Sequence, residues 1–193
     1  MKHELLLVGG GGHCRSVIDV IEQEGKYSIA GIVDNDLNVG EKIIDYEIIG
    51  KDEALKDFRK KYDFAFITVG QINSSIIRIR LYSILLKLGF TLPIIISPRA
   101  YVANSATIGE GTIVMHDALI NASAKIGENC IINTKALIEH DVHIGKHSHI
   151  STSAVINGGV IIGDNSFIGS NAVTNNNISI HKDGFVKAGS LLK

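Results

Sequence analysis

The chain of 193 residues lacks the usual marks of a membrane, nucleic-acid or metal-binding protein. No apolar run approaches the ~20 residues that span a bilayer. The opening Met1-Lys2-His3-Glu4 does not follow the basic, apolar, small-residue order of a secretory leader. Both absences predict a cytoplasmic protein with no membrane insertion. There is no basic run, and nineteen Lys and Arg against twenty Asp and Glu leave a net charge of −1, which argues against nucleic acid as a partner. Cysteine is scarce: Cys14 and Cys130 form no CxxC and no Cys/His zinc spacing, so no metal site is expected. No segment is of low complexity, and the length allows one large or two small domains.

What the chain has is a period of six. Every sixth residue from Ile96 to Val186 is Ile or Val, with Thr174 the one exception. Four places later in each hexad a second column stays small, from Ala100 through Cys130 and Ser148 to Ser190, with Ile178 the one large intruder. Helices repeat apolar residues at three and four, strands at two. A strict six is the signature of a hexapeptide β-helix, in which each hexad is one flat side of a prism. Three sides close a coil, so residues eighteen apart stack, and Val102, Ile120, Ile138, Ile156 and Thr174 form one interior ladder. The small column suits the tight corners, where Cys130 reads as a packed thiol.

Residues 4–96 alternate between strand and helix periods. Leu5–Val8 is a continuous apolar run suited to a strand buried on both faces, ending in Gly9-Gly10-Gly11-Gly12-His13. Val17, Ile18, Val20 and Ile21 then fall at helical spacing to Glu24, with Gly25 as the stop. Ser28–Val33 predicts a second strand, Lys51–Lys61 a polar amphipathic helix, Phe64–Val69 a third strand, 76–88 a helix and Leu92–Ile96 a last strand feeding the repeat. Such alternation predicts a small parallel α/β sheet, with a domain boundary near Pro93–Ser97. Ligands of open parallel sheets sit beyond the carboxyl ends of the strands. Gly9–His13, Asp34–Asp36, and Gly70 with nearby Gln71 and Asn73 collect there. The glycines let backbone N–H groups approach a phosphate at a helix N-terminus. The GxGxxG pattern fails because Cys14 and Arg15 hold the third-glycine positions, which disfavours a nicotinamide enzyme and leaves a phosphorylated small ligand.

Five of the eight histidines fall between 116 and 149, none on an interior column, so all are expected to face solvent or a neighbouring subunit. His143, His147 and His149 share no convergent face on a flat prism side, which disfavours a metal. Glu139-His140-Asp141 is the chemically informative triplet. A neutral imidazole can accept a proton, and a flanking carboxylate can orient it and stabilise the imidazolium. Which carboxylate does so is open at this level.

The Gly-Gly-Gly-Gly-His loop, followed by a hexapeptide repeat carrying Ile-Glu-His-Asp-x-x-Ile-Gly-x-x-Ser-His-Ile-Ser, resembles the bacterial PglD-like and NeuD-like sugar acetyltransferases over essentially the whole chain. The resemblance implies a Rossmann-like nucleotide-sugar domain over 1–95 and a left-handed parallel β-helix over 96–193, assembled as a homotrimer with active sites between subunits. It implies acetyl-CoA as co-substrate and a nucleotide-linked amino sugar, a UDP-4-amino-4,6-dideoxyhexose, as acceptor. Matched position by position, His140 is the general base and Asp141 its acidic partner. His149 lies near the acetyl-CoA thioester, and Gly158, Ser170 and Ala188 contact acetyl-CoA. Gly11, Gly12 and His13 form the nucleotide-sugar loop, Asp34 and Asn35 hold the uracil and ribose end, and Gly70 lines the same cleft. Two departures stand out: Asn35 replaces an acid found in some members, and the C-terminus lacks the Gly-Val-Pro-Ala-Lys-like segment that covers CoA in many relatives. Two other readings compete, a sialic-acid-type O-acetyltransferase and a non-catalytic sugar-nucleotide scaffold.

Overall fold

A computed structural model describes residues 2–193. The chain groups into two compact units, one running up to Gly70 and again over Ile76–Pro93, the other comprising Gln71–Ser75 and Ile94–Lys193.

The first unit is a five-stranded sheet with helices. Its elements are β1 (His3–Val8), α1 (Gly12–Glu24), β2 (Tyr27–Val33), β3 (Lys42–Ile43), β4 (Tyr46–Gly50), α2 (Leu55–Phe58), β5 (Phe64–Ile67) and α3 (Ile76–Leu88). Strand order is β3-β4-β2-β1-β5. The β1 side chains Leu5, Leu6, Leu7 and Val8 are buried, as the unbroken apolar run requires of a central strand. Along α1, Val17, Ile18, Val20 and Ile21 are buried, and Gly25 closes the helix in the left-handed conformation, its N–H on the Ile21 carbonyl.

Three expectations are revised here. The sheet is not wholly parallel, because β3 and β4 form an antiparallel pair through a two-residue turn at Ile44 and Asp45. Ile44 takes φ 55, a value rare for a β-branched residue, so nothing in the local sequence announced the turn. The helix expected over Lys51–Lys61 shrinks to a 3-10 turn (Asp52–Ala54) and the four residues of α2. Finally, the strand expected over Leu92–Ile96 shortens to Ile95–Ile96, which feeds the repeat by pairing with Ile113–Val114.

The second unit is a left-handed parallel β-helix of two-residue strands on three faces. Face 1 stacks six strands from Ile95–Ile96 to Phe185–Val186, face 2 six from Tyr101–Val102 to Leu191–Leu192, and face 3 five from Thr107–Ile108 to Ser179–Ile180. Register is eighteen throughout, with Ile120 paired to Ile138 and Ile138 to Ile156. The sixfold Ile/Val column points inward and is buried from Val114 to Ile168. Each such side chain is worth roughly 1.5–3 kcal/mol on burial.

Thr174, the break in the column, is also buried; its hydroxyl oxygen accepts from the Asn157 N–H at 2.9 Å. The small column follows the corners, each with its own chemistry. Between faces 3 and 1 stack Thr112, Cys130, Ser148, Ser166 and Gly184, whose hydroxyls bridge coils: Thr112 donates to the Gly127 carbonyl at 2.9 Å and accepts from the Cys130 N–H at 2.9 Å. Immediately before this column lies a third one, Asp117 through Asp183, in which nearly every residue has φ near +60°. Asn, Asp, Ser and Gly dominate it, as left-handed geometry favours.

Candidate active and substrate sites

In the first unit the four glycines divide in two. A Cβ on Gly9, whose φ is 112, would meet the Val69 N at 2.9 Å, and one on Gly10 would meet Leu37 Cδ1 at 2.7 Å, so these two serve packing. Gly11 and Gly12 face open space. Gly11 caps α1 without a side-chain hydrogen bond, which leaves the helix N-terminus to a ligand's negative charge. His13 lies in the first turn of the helix, and a Cβ on Gly70 would stand 3.4 Å from the His13 Cβ. The structure thus brings the loops after β1 and β5 together.

Asp34 is engaged with the protein's own backbone. Its Oδ2 accepts from the Gly10 N–H at 2.6 Å, and its Oδ1 from the N–H groups of Asp36 and Leu37 at 2.8 and 3.0 Å. The carboxylate therefore staples the glycine loop to its own turn. The Asn35 Oδ1 accepts from the Asp52 N–H at 3.0 Å. Beneath the loop, burial pushes the Cys14 thiol up to about 11, against a lowering hydrogen bond from Thr68, and it stays protonated at neutral pH.

In the second unit, His140 and Asp141 lie on the corner between faces 2 and 3. Asp141 holds φ 60, the left-handed corner position, and its Oδ2 sits 2.8 Å from His140 Nδ1. Which flank orients the imidazole is thereby settled. Glu139 turns instead to Asn121, whose Nδ2 donates to its Oε2 at 2.8 Å. With Nδ1 on the carboxylate, that nitrogen carries the proton and Nε2 keeps its lone pair. One coil on is Gly158, where a Cβ would stand 2.7 Å from both His140 Cε1 and Nε2. The missing side chain makes room for the ring, which is over half exposed.

His149 lies on face 1, nine residues or half a coil from His140, and so on the opposite side of the prism. The expectation that no histidine is interior needs correction: His147 and His149 are both buried, each 6 % exposed. They lie off the interior columns, but Gln71 closes over them. Its Nε2 donates to the His147 carbonyl at 2.9 Å, and its own carbonyl lies 2.5 Å from His149 Nδ1. The Asn133 Nδ2 lies 3.1 Å from His149 Nε2, and Phe167 packs edge-on against the ring at 5.3 Å. Ser170, on the corner between faces 1 and 2, bonds Ser151 at 2.9 Å, and Ala188 lies one coil further, exposed. Within one chain, then, His149, Ser170 and Ala188 are on one side and His140, Asp141 and Gly158 on another. Gln71 and Asn133 escaped the sequence reading; Gln71 stood out only as a polar neighbour of Gly70, and Asn133 carried no signal. Among the described residues no group of His, Cys, Asp and Glu could hold a metal ion, and no helix is long and apolar enough to cross a membrane.

Comparison with known proteins sharpens this picture. The family model for the PglD N-terminal domain matches residues 4–84, and that for the bacterial transferase hexapeptide (six repeats) matches 123–158 and 141–176. No curated protein matches the sequence significantly. Among solved structures, PerB from Caulobacter crescentus, in complex with CoA and GDP-perosamine, superposes with a TM-score of 0.92 at 31% identity over 98% of this chain and 88% of that one. The same perosamine N-acetyltransferase has been solved with a single histidine replaced by asparagine or by alanine. The acetyltransferase domain of PglB from Neisseria gonorrhoeae, in complex with acetyl coenzyme A, gives 0.90 at 28% identity over 100% of this chain and 93% of its own. WeeI from Acinetobacter baumannii, at 17% identity and a TM-score of 0.55 over 98% of this chain and 96% of that one, shares the fold.

Proposed function

Because the chain belongs to the PglD-like family of hexapeptide-repeat sugar N-acetyltransferases, we propose that it moves the acetyl group of acetyl-CoA onto the amine of a nucleotide-linked amino sugar, with His140 as general base. The observation that carries this reading is the 2.8 Å contact of His140 Nδ1 with Asp141, which leaves Nε2 as the basic nitrogen at an exposed corner. The amine nitrogen attacks the thioester carbonyl while Nε2 takes its proton, and Asp141 steadies the imidazolium. The tetrahedral adduct collapses by breaking the C–S bond, and the imidazolium returns the proton to the departing thiolate. The Gly158 main chain adjoins Nε2, and its N–H has no acceptor of its own among the described residues, so it serves as the donor to the oxyanion. No covalent enzyme intermediate is needed: Cys130 is buried, and Cys14 stays protonated.

The sugar nucleotide is assigned to the loops after β1 and β5, its phosphates at the α1 N-terminus beside Gly11 and Gly12, with His13 and Gly70 lining the cleft. Asp34 acts there by shaping the loop. The base is assigned as uracil; PerB is complexed with the GDP form of its sugar, so both nucleotides belong in the assay.

A homotrimer is part of the reading. The outward residues of face 2, Tyr101, Leu119, Leu137, Val155, Val173 and Leu191, are apolar throughout, while those of face 3 include Thr107, Lys125, His143 and Ser179. Three copies with face 2 turned to a common axis bury that column. The same arrangement brings the corner holding His140 and Gly158 against a neighbour's corner holding Ser170 and Ala188. Residues on different corners of the prism then serve one site, which a single chain cannot arrange.

The test is free-thiol release from acetyl-CoA with UDP- and GDP-linked 4-amino-dideoxy sugars, other nucleotide amino sugars, and free or CMP-linked sialic acids. Release with an amino sugar nucleotide, falling about 10²–10⁴-fold in His140→Ala, is expected. Turnover by sialic acids alone, or a fully active His140→Ala, overturns the reading.

A further inference from the structure

We propose that Gln71 is a positioning residue for His149, fixing it as a neutral imidazole with its proton on Nδ1, so that His149 meets the acyl donor as a hydrogen-bond acceptor through Nε2. The inference rests on the acetyltransferase reading for the identity of the ligand, but the tautomer rests on geometry alone. The Gln71 main-chain oxygen, 2.5 Å from Nδ1, can only accept, so Nδ1 carries the proton. On the far side of the ring, the Asn133 Oδ1 accepts from the Thr134 N–H at 2.8 Å, which fixes the amide's orientation and turns its NH₂ toward Nε2 at 3.1 Å. An NH₂ facing Nε2 requires a lone pair there. Two independent partners therefore name the same tautomer, the one less populated by free histidine.

Gln71 holds this arrangement through its side chain. It is 3 % exposed, and its Nε2 is anchored on the His147 carbonyl at 2.9 Å, two residues before the ring it positions. A side-chain clamp on residue 147 and a main-chain clamp on 149 fix the Gln71–Ser75 segment to the repeat, within one compact unit. A neutral imidazole with its proton on Nδ1 cannot donate to a thioester carbonyl through Nε2. It accepts instead from an N–H, and the pantetheine arm of acetyl-CoA carries two amide N–H groups. Asn133 occupies that lone pair in the free protein and is the group such an N–H displaces.

The experiment is long-range ¹H–¹⁵N correlation of the histidine rings in the full chain, with His149 assigned by its loss in His149→Gln. Acetyl-CoA binding is followed by calorimetry alongside. Wild type is expected to show the Nδ1–H tautomer. Gln71→Glu keeps the size but loses the donor to His147, and Gln71→Met does so without adding charge. Both should release the segment from residue 147, so that the Gln71 main-chain carbonyl leaves Nδ1, the tautomer preference falls and acetyl-CoA binding weakens roughly three- to tenfold, about the worth of one hydrogen bond, with the melting transition confirming a folded chain. An Nε2–H tautomer in wild type overturns the proposal. So does a folded Gln71 variant that keeps the tautomer, or one that loses it with acetyl-CoA affinity unchanged. Wild-type protein that shows the tautomer but binds no acetyl-CoA refutes the acetyltransferase reading and leaves the positioning role of Gln71 in place.

Discussion

Gly158→Ala is the most informative single substitution, because it adds one methyl group where the structure allows none. The added Cβ would stand 2.7 Å from His140 Cε1 and Nε2, whereas ordinary contact begins at 3.4 Å, so the ring must retreat by about 0.7 Å (3.4 minus 2.7) or swing outward. Gly158 does not have a positive φ, so the backbone accepts alanine. His140 is 58 % exposed and has solvent to move into, so the stability cost is expected below about 1 kcal/mol. The catalytic cost is larger. Retreat breaks the 2.8 Å contact with Asp141 and misplaces the basic nitrogen, and a displacement near 1 Å can lower turnover about 10²-fold. The assay is thiol release under saturating acetyl-CoA and amino sugar nucleotide, with a parallel thermal melt. A fall in kcat with the melt held is expected, and Asp141→Asn should fall less, since the ring stays in place. Wild-type kcat with a raised KM for acetyl-CoA would show that Gly158 serves the donor only and that room for His140 is not its role.

Two further outcomes test the assembly and the buried thiol. Leu137→Arg places a charge in the middle of the apolar column on face 2; sedimentation should show monomers with an intact fold, and activity should collapse because each site loses its neighbour's half. A fully active trimer from this variant would remove face 2 as the interface. Cys14, raised from 9.0 to about 11 and fully buried, makes stability fall as pH climbs from about 9 to about 11, since the unfolded thiol ionises first and the folded one holds its proton. Chemical denaturation across that range should show a loss of roughly 2–3 kcal/mol from this thiol that Cys14→Ala removes, leaving the smaller slope of Tyr27 and Tyr46, whose hydroxyls burial also raises, and an unchanged slope would refute the assignment.

The repeat was legible because its information is local and periodic. Each inward Ile or Val reports its position by spacing alone, and stacking at eighteen follows from closing three sides. The corners were legible for the same reason, although their left-handed column, with Asp141 in it, was missed because its residue types vary from Lys135 to His147. The α1 region was equally readable, since a glycine loop, an apolar face and a stop at Gly25 all lie within sixteen residues of one another. Where elements are short or marginal the reading failed. The α2 segment has Leu55 as its one fully buried side chain, and the β3–β4 turn places Ile44 at φ 55, which its residue type does not favour.

The candidate site shows the same division at the level of single side chains. His140 and Asp141 are adjacent in sequence, so their pairing needs only the corner geometry that the repeat supplies. Gly158 follows from it by one coil. The surroundings of His149 are of another kind: Gln71 is 78 residues away, and its contact is invisible to any local pattern. Periodicity placed His149 correctly off the interior columns, then misjudged its exposure, because a segment outside the repeat covers that face. The backbone contacts of Asp34 are of the same kind. An acidic residue after a strand reads as a ligand group, but it also accepts from Gly10, 24 residues earlier, and from its own turn. Spacing identifies which residues share a ladder; only the long-range contacts decide whether a polar member of that ladder is available to a substrate or already holds the protein's own backbone.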